Sequence, residues 1–138
     1  MKLNSLKPTW KISEKLILEN FKFLQNEFDF PKFKKKWIRD EYYITTEKDG
    51  IEFCCLIFQL SSTSPEIEII DKTKTLKNNS ELKKSDYYRI DSLDKTGKLK
   101  KIAEKGREYI EFYIEKCAEL IKEKPSLLKG NMNEFELK

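Results

Sequence analysis

Residues 41–71 constrain the fold more tightly than any other stretch of this chain. EYYITTE and IEFCCLIFQL flank Lys48-Asp49-Gly50. Asp-Gly between two β-rich runs signals a two-residue hairpin, because both central residues of the favoured turn need positive φ. A third run, Glu66 to Asp71, alternates cleanly, with Glu66 and Glu68 facing one way and Ile67 and Ile69 the other. The second run departs from alternation. Ile51, Phe53, Cys55 and Ile57 line one face, yet Cys54, Leu56, Phe58 and Leu60 line the other. A strand apolar on both faces is usually central and covered on both sides, so a layer of helix is expected on each face of the sheet.

The flanking segments carry helical periodicity. Ile17, Phe21, Leu24 and Phe28 recur at helical spacing, which predicts a first helix from Ser13, whose hydroxyl can cap it, to about Phe28. Asp29-Phe30-Pro31 stops it, since proline disfavours helix at the residue before it. Towards the C-terminus, KLKKIAEKGREYIEFYIEKCAELIKEK predicts a single long helix. Leu99, Ile102, Ala103, Gly106, Ile110, Tyr113, Ile114, Cys117, Leu120 and Ile121 fall on one side of it, and Glu104, Glu108, Glu111, Glu115 and Glu119 on the other. Like charges at that spacing cost about 0.2–0.5 kcal/mol per pair, so local helix physics does not favour the row. With Phe112 projecting beside it, the row reads as a surface offered to a partner. Asp94 or Thr96 can cap this helix, Lys122 and Lys124 complement its C-terminal dipole, and Pro125 ends it. Residues 72–98 are less legible: Asn78-Asn79-Ser80 and Asp94 to Gly97 read as turns, and Tyr87 to Ile90 as a short fourth strand. The tail, Ser126 to Gly130 followed by Asn133 to Leu137, is expected to fold back as a helical turn. These elements assemble into one α+β domain over 1–138. It is an antiparallel three- to four-stranded sheet packed against an N-terminal helix and a long C-terminal helix.

Chemistry is narrowed mainly by what the chain lacks. There is no His, which removes a Ser-His-Asp triad, a Cys-His dyad and any His-containing zinc site. Cys54 and Cys55 are adjacent on a strand and point to opposite faces, so they cannot jointly grip one metal ion, and Cys117 lies on the apolar helix stripe. No GxxxxGK[ST] or GxGxxG motif occurs. Asp49, Glu66, Glu68, Asp71 and Glu81-Leu82-Lys83 can be set against the acidic-cluster-plus-lysine pattern of a metal-dependent nuclease. However, the Glu81 segment sits in a polar Asn/Ser/Lys stretch and not on an apolar strand. No enzymatic activity, metal or cofactor is expected.

Charge is segregated along the chain. Residues 41–71 hold one Lys against seven Asp and Glu, whereas residues 1–40 hold ten Lys and Arg against five acidic residues, and residues 72–101 ten against four. Blocks of alternating sign suit a domain with distinct electrostatic faces. Lys32-Phe33-Lys34-Lys35-Lys36-Trp37-Ile38-Arg39 mixes phosphate-seeking cations with aromatics that could stack on bases, and is the one candidate nucleic-acid segment. The bland reading of it is a solvated loop or a strand edge protected by lysines, with Phe33 and Trp37 anchored in the core. The opening residues lack an apolar core typical of a secretion signal, and the longest apolar run, Phe53 to Phe58, is far short of a membrane span, so a cytoplasmic protein is expected.

An opening helix ending in an aromatic turn (FKFLQNEFDF), a strand pair joined by Asp-Gly, and a long helix running into LLKGNMNEFELK together resemble small bacterial immunity proteins. Those are the antidotes encoded beside polymorphic and contact-dependent growth-inhibition toxins. The sharpest piece is Ser126-Leu127-Leu128-Lys129-Gly130 before an aromatic-containing tail; where relatives often carry an acidic residue after the glycine, this chain has Asn131. The resemblance implies a non-enzymatic cytoplasmic protein that binds a cognate toxin domain and blocks its active site or substrate access, and the acidic row suggests that this partner presents a basic surface. The residues expected to carry binding are Glu108, Glu111, Phe112, Glu115 and Glu119, and secondarily Glu41, Glu47, Asp49, Glu66 and Glu68 around the hairpin. A subunit of a homo-oligomer or other assembly, using the two-faced second strand, is the remaining alternative.

Overall fold

A computed structural model describes residues 8–73, 81–83, 86–132 and 135. The expected turn at Asn78 to Ser80 lies outside the described residues, as does most of the Asn133 to Leu137 tail. The elements run α1 (Thr9–Asn20), α2 (Phe23–Phe28), β1 (Lys34–Ile38), β2 (Glu41–Lys48), β3 (Ile51–Phe58), β4 (Glu66–Asp71), β5 (Tyr87–Arg89), α3 (Lys98–Ala103) and α4 (Ile110–Glu123). Short 3-10 turns occupy Ile90–Leu93, Arg107–Tyr109 and Pro125–Lys129.

The strands form one antiparallel sheet in the order β1-β2-β3-β4-β5. Asp49 and Gly50, with φ of 53° and 83°, make the β2–β3 turn, and Lys48 pairs with Ile51 across it. The α+β class stands, with five strands in place of three or four. The added strand is β1, the Lys-rich segment 34–38, exposed along its whole length. It is an edge, where lysines discourage pairing with other chains.

Both helical segments are more broken than their periodicity predicts. The N-terminal one is two helices interrupted at Phe21 and Lys22. Phe21, Phe23 and Leu24 are all buried, and three inward residues within four positions are too wide for one helical stripe, so a bend re-aims the chain. Ser13 is not the cap: it lies buried inside α1, while Pro8 holds the N-cap and its carbonyl accepts from the Lys11 N–H at 3.1 Å. Asp29, at φ 60°, closes α2, and the Phe30 N–H reaches back to the Leu24 carbonyl at 3.0 Å. The predicted long C-terminal helix is α3, an irregular turn and α4. Gly106 sits there at φ −74°, ψ −171°, an extended geometry that no helix can continue through.

Among the described residues all helices pack on one face of the sheet. Ile17 and Phe21 of α1, Leu99 of α3, and Ile110, Tyr113, Ile114 and Cys117 of α4 join Tyr42, Ile44, Phe53, Cys55, Ile67 and Ile69 in one core. Among the described residues the second helical layer expected over β3 is not seen. Cys54 and Ile70 are buried but lie outside that core, on the sheet's other face.

Candidate partner-binding surface

The strand register lays out that outer face in rows. Ile38, Glu41 and Phe58 lie side by side, then Lys36, Tyr43, Leu56 and Glu66, then Lys34, Thr45, Cys54, Glu68 and Arg89, then Glu47, Glu52, Ile70 and Tyr87. A half-solvated antiparallel sheet normally turns polar residues outward. Here β3 turns Cys54, Leu56 and Phe58 outward, with Leu56 and Phe58 only half covered. Ile38, 45% exposed, and Leu60, 89% exposed, extend the apolar strip at the end where β1 turns into β2.

Carboxylates border this strip. The Tyr43 hydroxyl donates to Glu41 Oε1 at 2.9 Å, and that bond together with burial pushes its pKa up to about 12. Lys72 lies 2.7 Å from Glu47 and 2.9 Å from Glu52, so one lysine answers two carboxylates at one end of the face and half of their charge remains. Arg89 Nη1 is 3.9 Å from Glu66 Oε2. Burial raises the Glu68 carboxyl above its ordinary value; Arg89 opposes this, while Glu66 and Asp91 add to it. The β4 side of the strip is thus acidic, through Glu66 and Glu68, while Lys34 and Lys36 stand on the β1 side.

Arg89 is held from behind. Asp91, 1% exposed in the turn after β5, accepts from Arg89 Nη2 at 2.8 Å and from the Tyr113 hydroxyl of α4 at 2.9 Å on the same carboxylate oxygen, Oδ2. Burial raises the Tyr113 hydroxyl, so it remains a donor across the accessible pH range. This network ties the β5 edge of the sheet to α4 through the core.

The predicted binding residues divide between two surfaces. Glu41, Glu47, Glu66 and Glu68 share the outer sheet face; Asp49 lies in the hairpin turn at its end. Glu111, Phe112, Glu115 and Glu119 are exposed on α4, with Glu108 in the turn before it and Glu104 separated by the break at Gly106. Within the row, Lys116 pairs with Glu119 at 3.3 Å and sits 5.5 Å above the Phe112 ring. The buried side of α4 faces the core, so its glutamates point away from the sheet and the two sets lie on opposite sides of the molecule. Leu56 and Phe58 belong to the second apolar face of β3, read from the sequence only as a surface for assembly; Tyr43 and Ile38, which extend it on β2 and β1, were not singled out.

The Lys32–Arg39 segment is divided by strand alternation. Lys35 faces α1 and pairs with Glu14 at 3.4 Å. Trp37 stacks on Tyr42 at 4.6 Å and meets Trp10 edge-on at 5.0 Å, and Phe33 packs on Phe53 at 5.9 Å. Only Lys34 and Lys36 share the outer face, so cations and aromatics do not form one patch. Burial pushes the Cys54 thiol up to about 12 and raises Cys55 and Cys117 as well, so none of the three carries a reactive thiolate at neutral pH. Among the described residues no three His, Cys, Asp or Glu side chains gather where they could hold a metal ion, and no helix is long and apolar enough to cross a membrane. No protein-family model, curated protein or solved structure matches the chain.

Proposed function

We propose that this chain is an immunity-type inhibitor, a cytoplasmic and non-catalytic protein that binds a cognate bacterial toxin domain and occludes its working surface. The observation that carries the reading is the outer face of the sheet, where an apolar strip of Tyr43, Leu56, Phe58 and Ile38 carries no helical layer among the described residues and is bordered by Glu41, Glu66 and Glu68. Aromatic and aliphatic anchors ringed by charge are the composition of protein interfaces. Carboxylates on the β4 side and lysines on the β1 side give the face a direction. A partner presenting cations docks over β4, with steering by charge and affinity from the strip. The resemblance in texture to immunity proteins supports the same class.

Two other readings have less support. The α4 row supplies a second acidic surface, but Lys116 already answers part of its charge. Nucleic-acid association through residues 32–39 would need Lys35, Trp37 and Phe33 to leave contacts they make within the domain.

Growth of cells expressing the C-terminal domain of the protein encoded immediately upstream tests the proposal. Growth arrest should be relieved by co-expression of this chain, and no longer relieved by Leu56→Asp with Phe58→Asp. A neighbouring product without toxicity, or arrest that persists with the wild-type chain, would contradict it.

A further inference from the structure

Charge on the outer face of the sheet follows a regular order across the strands. In the row Lys36, Tyr43, Leu56, Glu66 a cation stands on β1, an anion on β4, and two apolar side chains lie between them. The next row, Lys34, Thr45, Cys54, Glu68, repeats the order from positive to negative. Lys34 and Lys36 are exposed and make no ion pair within 4.0 Å among the described residues. Glu66 has Arg89 at 3.9 Å, but Asp91 holds that guanidinium more closely, at 2.8 Å. The two charged ends of each row are equally far from the line that runs between β2 and β3. A twofold axis along this line, parallel to the strands, therefore turns each row end for end. Two copies set face to face about it place Lys36 of each over Glu66 of the other, and Lys34 over Glu68, with Tyr43 against Leu56 between them. A twofold running across the strands instead stacks lysine on lysine and glutamate on glutamate. Charge complementarity selects the first arrangement and rejects the second.

We propose that the outer face pairs with a second copy of this chain, sheet on sheet, in a twofold dimer whose Lys36–Glu66 contacts flank an apolar centre of Tyr43 and Leu56. Four strands and three rows of residues cover about 20 Å by 20 Å, about half of the roughly 800 Å² a side that a standard interface buries. At one end of the patch Glu47 falls against Glu52 of the other copy, and the Lys72 of each copy answers half of that charge. Small area and this residual repulsion make the dimer a weak one that dilution opens. The pairing needs no second protein, so it goes beyond the toxin-binding reading, and its failure would leave that reading standing.

Sedimentation equilibrium of the full chain, from micromolar to millimolar concentration, tests the dimer. Reversible exchange between monomer and dimer is expected for wild type, weakened at least tenfold in Lys36→Glu and in Glu66→Lys. Neither side chain is buried, so both variants keep their fold, which circular dichroism checks. An equimolar mixture of the two variants should recover wild-type association, because each contact between the copies again joins opposite charges. A wild-type chain that stays monomeric throughout, variants that associate as wild type does, or a mixture that associates no better than either variant alone would overturn the proposal.

Discussion

Asp91 is buried, and one of its carboxylate oxygens, Oδ2, accepts from both Arg89 and Tyr113, while the other, Oδ1, has no hydrogen-bond partner among the described residues. Removing Asp91 leaves the Tyr113 hydroxyl and the half-buried Arg89 guanidinium without their acceptor, a change that typically costs about 1–3 kcal/mol. Asp91→Ala is expected to fall in that range by urea denaturation. Tyr113→Phe, which removes one donor while keeping the ring, should cost about 1–2 kcal/mol. A cost below 1 kcal/mol for Asp91→Ala would show that the network is dispensable. Glu68 provides a pH-dependent counterpart. Its folded pKa is raised above the ordinary unfolded value of about 4.3. Its favourable contribution is therefore complete below that value and is lost as pH rises through the folded pKa. The urea midpoint of Glu68→Gln should match wild type near pH 3 and exceed it at pH 7. A difference that does not change with pH would contradict the environment assigned to this carboxyl.

At the scale of elements, the glycines separate two kinds of helix boundary. Gly97, at φ 78°, begins α3 in a left-handed conformation with nothing within 4 Å of an added Cβ. Gly97→Ala should therefore cost about 1 kcal/mol from backbone strain alone. Gly106 has a φ of −74° that any residue adopts, and an added Cβ meets only the movable Glu108 carboxylate, at 3.2 Å. Gly106→Ala should be neutral or stabilising by about 0.4–1 kcal/mol, through the unfolded chain. Thermal melts of the two variants decide this, and an equal loss in both would sink the distinction. The Asp-Gly hairpin and β4 were legible because turn chemistry and two-residue alternation are local signals. β1 was legible only as one of two readings, a loop or a strand edge, because three consecutive lysines carry no alternation; an edge strand exposed throughout has no buried partner to impose one. The break at Gly106 was hidden for a related reason. Periodicity reports which way residues face, and Ile102 and Ile110 both turn towards the apolar side whether or not the helix between them is continuous.

At the scale of the molecule, the layers decide what the sequence left open. Alternation placed Glu66 and Glu68 together and showed β3 to be apolar on both faces. Whether the second face is covered depends on where the helices go, and that is set by long-range packing. Among the described residues the helices gather on one side, so Tyr43, Leu56 and Phe58 lie on the other, and the acidic row of α4 ends on the opposite side from them. One partner cannot touch both surfaces without wrapping the domain, so substitutions on the two faces must separate. The most direct measurement is calorimetric titration of the upstream-encoded C-terminal domain with three proteins: wild type, Leu56→Asp with Phe58→Asp, and Glu111→Lys with Glu115→Lys. One-to-one binding by wild type, a loss of at least a hundredfold in the β3 variant at unchanged Tm, and near-wild-type affinity in the α4 variant are predicted. Full affinity in the β3 variant, or no binding by wild type, would contradict the outer face of the sheet as the inhibitory surface.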